Sequence, residues 1–436
     1  MAEQLIFFGV SAAGNTTVFK SNGTAAGTAP IIDTDLGVSG GIGSELGAPG
    51  SVLLDYGKTI LAQGYSGGTT VLWIYTKPLP PATTGAYTHF DFGPTNPAPA
   101  FGFVEYKGLV YFNGAVFGTG SDLFSTNGTV GGTIPITASN LNPMSLAVAY
   151  DNLFFAGGSD PNTSALYSYD GSSSPPAPVG VDVVRPSSLT VSFVGTLFVL
   201  PDPDLPFLHP PQPPLFMSGQ DSSGTWLFKY DGSSLTKISP TTAPSSGLAP
   251  YNLVNLGWVQ SRKVGPFNLE SWHRALCFSG QVDNSGTRKV WISLGTSGTT
   301  NQIPMPSGPG VVPYSDPYDL TAFNGMLYFT AYDTAPADGR GLFVYDPVTN
   351  VTRQIIESSA YNLDPGNWQQ LWGARNQYTM AIFNNKLYFN ATKAGGQTSL
   401  WRIDGAPTSG QATPQLVSNV GGQDGLQPYS LTTANL

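Results

Sequence analysis

Residues 123–133 read LFSTNGTVGGT: an apolar pair and a short polar step, then Asn-Gly-Thr and a second Gly-Thr. Versions of this pattern return along the whole chain, each with a large apolar residue as its second member. Eight such anchor positions lie 43 to 63 residues apart: Phe19, Trp73, Phe124, Tyr167, Phe228, Trp291, Phe343 and Trp401. A period of this length predicts an array of equivalent supersecondary units rather than a set of unrelated domains.

Each unit has the pattern of four short strands. Asn324-Gly325 separates two apolar runs in the seventh unit, and Asn-Gly in this setting is the strongest short signal for a hairpin. The strands predicted for this unit are 318–323, 326–331, 341–346 and 351–356. Four antiparallel strands repeated eight times form the blades of a β-propeller.

The two ends of the chain resemble complementary parts of one unit. The last residues, PYSLTTANL at 428–436, resemble the first strand of the seventh unit, PYDLTAFNG at 317–325. The N-terminus begins with QLIFF at 4–8, which resembles a second strand. We therefore predict that the C-terminal strand joins the N-terminal blade and closes the ring, which removes the free sheet edges of an open array.

The sequence thus predicts one all-β domain over 1–436, an eight-bladed propeller of four-stranded antiparallel blades. Its 53 Gly and 37 Pro residues suit many short strands joined by tight turns. The predicted blades cover about 5–35 together with 428–436, then 51–92, 101–138, 144–182, 188–239, 251–304, 318–356 and 378–418.

Composition narrows the class of partner. Only 10% of the residues are charged, against ~25% in an ordinary globular chain, and the net charge is −9. Because Lys and Arg do not cluster, a nucleic-acid partner is not expected. No apolar run is long enough to span a membrane, and the first residues lack the pattern of a signal peptide. A surface rich in Ser, Thr, Asn, Gln and Gly favours an extracellular, cell-surface or particle-associated protein.

The repeat also resembles that of a known family. Residues 18–28 and 123–133 nearly complete the motif Leu-Trp/Phe-x-x-Asp/Asn-Gly-Thr-x-x-Gly-Thr, and 296–299 carries a shortened tail. This motif is similar to the ELWxxDGT repeats of bacterial, hyalin-like proteins, although the leading Glu is absent here. The resemblance implies a β-propeller in a secreted or cell-surface setting. It transfers no catalytic residue, since the motif describes a turn and a packed aromatic.

The Asp/Asn-Gly turns allow more than one interpretation. As calcium loops they would need about six to eight oxygen ligands, yet each unit offers at most one Asp there. Turn chemistry explains Asp, Asn and Gly without a metal, so neither a metal nor a cofactor is predicted. Glycan attachment is a further option, but turn formation is preferred because several Asn-x-Ser/Thr sequons coincide with the repeat. The sequons lie at Asn15, Asn22, Asn127, Asn162, Asn350 and Asn390.

Catalytic motifs are scarce. The histidines His89, His209 and His273 are far apart in sequence, and no GxSxG elbow, P-loop or HExxH is present. The leading prediction is a non-enzymatic recognition or assembly module at a cell or particle surface, which binds a protein or glycan partner or copies of itself. Two alternatives stay open: a glycan-binding lectin, and a propeller enzyme with its site at the central channel.

Candidate binding residues lie where the repeat is interrupted. One set falls in the long connection 357–377 before the eighth blade, where exposed tryptophans would stack on a sugar or anchor a protein. A second set falls in expanded turns at about 201–213 and 262–274, where a Pro-rich segment would lose little entropy on docking. In both places the alternative is an ordinary packed loop. The candidates are Trp368, Trp372 and Arg375 in the first set, and His209, Arg262, Trp272, His273 and Arg274 in the second.

Overall fold

The computed structural model contains eight antiparallel sheets, which we number as blades 1 to 8 in chain order. Seven sheets have four strands and blade 8 has five. The described residues are 3–11, 16–31, 53–66, 69–79, 85–92, 101–116, 120–136, 141–157, 165–172, 177–182, 198–199, 214–221, 223–261, 271–306, 313–333, 339–363, 380–406, 410–418 and 429–435.

The first four blades lie in the N-terminal half of the chain, and blade 1 also includes the last strand. Blade 1 contains β1 (Glu3–Val10), β2 (Thr16–Ser21), β3 (Ala29–Pro30) and the last strand, β33 (Tyr429–Asn435). Blade 2 contains β4 (Leu53–Tyr56), β5 (Thr59–Ser66), β6 (Thr69–Thr76) and β7 (Ala86–Asp91). Blade 3 contains β8 (Phe101–Tyr106), β9 (Leu109–Val116), β10 (Gly120–Thr126) and β11 (Ile134–Pro135). Blade 4 contains β12 (Met144–Ala149), β13 (Asn152–Gly157), β14 (Ala165–Tyr169) and β15 (Ala177–Asp182).

The remaining blades follow in sequence order. Blade 5 contains β16 (Phe198–Val199), β17 (Leu215–Asp221), β18 (Gly224–Tyr230) and β19 (Leu235–Ile238). Blade 6 contains β20 (Tyr251–Ser261), β21 (Ser271–Gln281), β22 (Arg288–Ser293) and β23 (Thr300–Gln302). Blade 7 contains β24 (Ser315–Phe323), β25 (Met326–Tyr332), β26 (Arg340–Asp346) and β27 (Val351–Ile356). Blade 8 contains β28 (Tyr361–Asn362), β29 (Met380–Phe383), β30 (Lys386–Lys393), β31 (Thr398–Ile403) and β32 (Gln415–Ser418).

Blade 1 closes the ring as predicted. β33 pairs antiparallel with β1, with Glu3 opposite Asn435 and Ile6 opposite Thr432. The strand order of this sheet is β3-β2-β1-β33, so the end of the chain supplies the strand nearest the axis. The all-β, eight-bladed propeller with its shared closing blade is therefore confirmed. No helix long and apolar enough to cross a membrane occurs among the described residues.

In several blades the anchor residue of the third strand packs across a small residue on the second strand. A Cβ placed on Gly114 would lie 2.6 Å from the ring of Phe124, and one on Gly280 would lie 2.7 Å from Trp291. In blade 8 this position is Ala391, whose carbonyl accepts a hydrogen bond from the Trp401 indole at 3.0 Å. The large anchor thus requires a small residue two positions beyond its paired partner on the second strand.

We expect Gly280→Val to lower the free energy of unfolding by about 1–3 kcal/mol, because the added side chain displaces Trp291 from a filled core. The matched control is Gly131→Val, since a Cβ at Gly131 meets no atom within 4 Å. It should change stability by less than ~0.5 kcal/mol. The midpoint of urea unfolding, compared between the two variants, checks the expectation, and equal midpoints would contradict it.

In the repeated turn after the third strand, the side-chain oxygens of Asn or Asp accept hydrogen bonds from residues of the same turn. In blade 3 the Asn127 Oδ1 accepts from the backbone N and the Oγ1 of Thr129, at 3.1 and 2.7 Å. In blade 5 the Asp231 carboxylate accepts bonds from Ser233 and Ser234, which hold its pKa well below its usual value. The Asn127 and Asp231 side-chain oxygens therefore stabilise the turns themselves. Within the described ranges no group of three His, Cys, Asp or Glu residues is placed to hold a metal.

The same turns contact the preceding blade. Gly232 of blade 5 lies against the ring of Tyr150 in blade 4, and Gly128 of blade 3 lies against Thr59 in blade 2. Across the ring closure, Gly23 of blade 1 lies against Tyr388 of blade 8, and the Arg402 Nη1 donates to the Gly23 carbonyl at 2.8 Å. The junction between blades 8 and 1 thus has the same kind of turn contact as the two junctions above. The closing strand β33 adds to it by pairing with β1.

Candidate functional site

Most of the binding residues predicted from the sequence lie outside the described residues. This applies to Trp368, Trp372, Arg375, His209 and Arg262. Their assignment to a binding surface therefore stays a prediction.

The last four residues of the predicted turn at 262–274 lie in a strand. Residues 271–274 belong to β21, where Trp272 pairs with Gln260, His273 with Val259 and Arg274 with Trp258. Two strands of 11 residues each form this hairpin. The prediction of an expanded turn that includes Trp272, His273 and Arg274 is therefore corrected, because these three residues are paired with β20.

The connection before blade 8 also contributes a strand. Tyr361 and Asn362 pair with the end of β30, and the Tyr361 ring packs edge-on against Trp401 with centroids 5.0 Å apart. The Asn362 Oδ1 accepts a hydrogen bond from the backbone N of Arg340 in blade 7 at 3.0 Å. This part of the predicted loop is packed between blades.

The first strands of several blades share a bulge at one level. In propellers the innermost strands surround a central channel, and we call the end where these strands begin the channel mouth. Directly after the start of each bulge the backbone turns to positive φ, which is uncommon for residues other than glycine. The residues are Gly102 (72°), Ser145 (52°), Asn252 (52°) and Asp319 (51°). Bulges of this kind are frequent next to active sites, where they redirect side chains.

Blades 6 and 7 differ from the others at the channel mouth. Three positions before the anchor they carry Arg288 and Arg340. The other six units carry Thr or Ser there: Thr16, Thr70, Ser121, Ser164, Thr225 and Thr398. Two neighbouring blades therefore place a cation where the repeat otherwise has a small hydroxyl.

Each of these arginines stacks on a tyrosine of the innermost strand. The Arg288 guanidinium lies 4.3 Å from the ring centroid of Tyr251, and its Nη1 donates to the Ala249 carbonyl at 2.7 Å. The Arg340 guanidinium lies between the rings of Tyr318 and Tyr332, at 4.2 and 4.1 Å. Both arginines are buried. Stacking of this kind stabilises a guanidinium that has lost most of its water.

Asp316 joins the two stacks. The Arg340 Nη2 lies 3.2 Å from the Asp316 Oδ2, and the Nη1 donates to the Asp316 carbonyl at 2.6 Å. The Tyr251 hydroxyl of blade 6 donates to the Asp316 Oδ1 at 3.3 Å and to the Pro317 carbonyl at 3.2 Å. Burial raises the pKa of Tyr251 well above its usual value, and the charges of Tyr318 and Asp316 add to the shift. Tyr251 therefore stays protonated and remains a donor.

The Asp316 carboxylate also reaches solvent. Its side chain is 32% exposed, whereas that of Arg340 is 7% exposed. Its backbone has φ +50°, a conformation that is costly for Asp and persists only where the surroundings hold it. Lys289, the residue after Arg288, contacts a different tyrosine: its amine donates to the Tyr314 carbonyl, and burial lowers its pKa. Arg340 thus holds the Asp316 carboxylate at the channel mouth.

The sequence predictions miss this cluster. Its one visible signal is the replacement of Ser or Thr by Arg at equivalent positions of two units, which aligning the repeats reveals. The partner Asp316 has no such signal, because its contact with Tyr251 crosses from one blade to the next.

Comparison with known proteins gives weak similarities only. No family model matches the chain, and no curated protein matches it. The propeller domain of the Trilobed protease from Pyrococcus furiosus is 10% identical, with a TM-score of 0.42 over 85% of this chain and 98% of that one. A puromycin hydrolase is 12% identical, with a TM-score of 0.41 over 91% of this chain and 56% of that one. A puromycin-hydrolysing peptidase from Mycobacterium tuberculosis is 11% identical, with a TM-score of 0.44 over 89% and 58%.

These comparisons correct two predictions. The sequence predicts a non-enzymatic recognition or assembly module, and hence no enzyme, whereas the similar structures are a puromycin hydrolase, a puromycin-hydrolysing peptidase and the propeller domain of a protease. The chain spans a little over half the length of the two puromycin-cleaving proteins, so any activity is a matter for proposal. The ELWxxDGT resemblance and the surface location stay predictions.

Proposed function

We propose that this chain is a hydrolytic enzyme whose substrate binds at the channel mouth beside Asp316. The proposal depends on the departure from the repeat in blades 6 and 7, where buried Arg288 and Arg340 replace a small hydroxyl residue. Buried charges are costly unless paired, so a fold that needs only a propeller would not require them. Arg340 pairs with the Asp316 carboxylate at the channel mouth, and Arg288 packs on Tyr251, which donates to the same carboxylate.

Asp316 supplies the group that meets the substrate. A carboxylate accepts a proton or a hydrogen bond from water or from a substrate donor, which is the basic requirement of general-base hydrolysis. Arg340 and Tyr251 hold it from the protein side, and a third of its side chain faces solvent. Groups held in place before the substrate arrives cost little reorganisation during the reaction. We assign Arg340 and Tyr251 as positioning residues.

The test compares hydrolysis by wild-type protein and by Asp316→Asn, using chromogenic peptide, ester and glycoside substrates. Peptides come first in the panel. We expect wild-type activity in one class and a loss of roughly 10²- to 10⁴-fold in kcat/KM for Asp316→Asn, the range for losing a general base. The urea midpoint of the variant, measured in parallel, separates lost chemistry from lost folding.

Asp346→Asn is the matched control. Asp346 lies in the same blade, but its carboxylate accepts from Val348 N and Thr349 in the turn after the third strand. This variant should keep wild-type kcat/KM. The proposal is overturned if the wild-type protein hydrolyses no class of substrate, or if Asp316→Asn retains full activity. Tight glycan binding without turnover would instead favour the lectin alternative.

A further inference from the structure

The chain contains four Asn-Gly pairs, at 22–23, 113–114, 127–128 and 324–325. In such a pair the backbone N of Gly can attack the Asn Cγ, since Gly has no side chain to hinder the approach. The attack forms a C–N bond and a five-membered imide, and the side-chain nitrogen leaves as ammonia with the proton of the attacking N–H. Water then opens the imide to Asp or isoaspartate. The reaction requires a mobile side chain and a free Gly N–H.

We propose that Asn324 is a site of spontaneous deamidation in the folded protein, and that the other three Asn-Gly pairs are protected by their surroundings. Asn324 and Gly325 form the two-residue turn between β24 and β25, and both are exposed. Their φ angles of 51° and 72° are those of a tight hairpin turn. Within the described part of the chain the Asn324 side chain makes no hydrogen bond.

The pairs at 22–23 and 127–128 are protected at both reacting atoms. The Asn22 Oδ1 accepts from the N and Oγ1 of Thr24 at 3.1 and 2.7 Å, which fixes the side chain. The attacking atom, Gly23 N, donates to the buried Ser21 Oγ at 3.0 Å. The arrangement recurs in blade 3, where Gly128 N donates to the Thr126 Oγ1 at 3.1 Å. Attack requires both bonds to break.

The pair at 113–114 is protected by burial. Asn113 is 1% exposed, and its Nδ2 donates to the Ser121 Oγ at 3.2 Å and to the Pro143 carbonyl at 2.6 Å. Gly114 lies within β9 opposite Asp122, beneath the ring of Phe124. Neither residue can move without opening the blade.

The modification would add one negative charge to the hairpin of blade 7, and isoaspartate would also lengthen its backbone by one carbon. The turn sets the register in which Phe323 pairs with Met326. Because this turn is on the opposite end of the propeller from the channel mouth, the reaction and the proposed hydrolytic site are independent.

The experiment incubates the purified full chain at mildly alkaline pH and follows each Asn-Gly peptide by digestion and mass spectrometry. We expect the Asn324 peptide to gain the mass of deamidation at least about tenfold faster than the other three, since protected groups react only through local opening. In the chain unfolded in urea, all four should react at similar rates. Equal rates at Asn324 and Asn127 in the folded chain would overturn the proposal.

Two variants sharpen the test. Asn324→Gln should abolish the fast reaction, since the longer side chain no longer closes a five-membered ring, and it should lower the urea midpoint only slightly, because Gln tolerates the φ of 51° less well than Asn. Thr126→Val removes the hydroxyl that holds Gly128 N, and it should accelerate deamidation at Asn127 while leaving Asn324 unchanged. An unaltered rate at Asn127 in this variant would contradict protection by the turn.

Discussion

Leu431→Ala should lower the free energy of unfolding by about 2–5 kcal/mol, the cost of removing a buried Leu side chain from a filled core. Leu431 is 4% exposed and lies on β33, the strand that closes the ring. It packs with Leu5 and Phe7 of blade 1 and with Phe383 and Tyr388 of blade 8. One side chain therefore holds the closing strand to its own blade and to its neighbour.

The control for this variant is Leu416→Ala. Leu416 lies on the outermost strand of blade 8 and is 49% exposed, so the same substitution should cost less than ~1 kcal/mol. The urea midpoints of the two variants give the comparison. Hydrogen exchange adds a local readout, because weaker closure should speed exchange in β1 before blades 3 to 6. Equal midpoints would mean that the closing strand contributes little.

Arg340→Thr should have the second large effect, because Thr is a residue that the repeat carries at this position elsewhere. Removing one partner of a buried ion pair leaves an uncompensated charge, which typically costs ~3–5 kcal/mol. We expect a loss of roughly 3 kcal/mol, at the low end of that range, since the Asp316 side chain is 32% exposed. Tyr318 and Tyr332 also lose the guanidinium that packs between them.

An exposed ion pair provides the control. Lys386 and Asp404 form a salt bridge in which the side chains are 30% and 64% exposed, so Lys386→Thr should cost less than ~1 kcal/mol. The double variant Arg340→Thr with Asp316→Ser tests the cause. If the unpaired carboxylate is responsible, the double variant should be more stable than Arg340→Thr alone. If the double variant is less stable than Arg340→Thr, the loss of stability comes instead from the missing packing between Tyr318 and Tyr332.

The seventh unit shows how closely local patterns predict the elements. Its strands are predicted at 318–323, 326–331, 341–346 and 351–356, and the structure has them at 315–323, 326–332, 340–346 and 351–356. The turns match best because Asn324-Gly325 and the Asp346 side chain, which accepts from Val348 N, determine backbone angles within a few residues. The first strand begins earlier than predicted, since bulges at Asp316 and Asp319 interrupt its alternation.

The amino-acid sequence by itself determined the number of blades, their four strands and the closing strand, because a regular period and turn chemistry are local properties that repeat. Only the tertiary structure decided which side chains the two unusual arginines contact. Asp316 meets Tyr251 across 65 residues of chain, and Arg340 meets Tyr332 and Tyr318 through strand pairing. Such contacts depend on register and on how neighbouring blades pack, and no spacing along the chain encodes them.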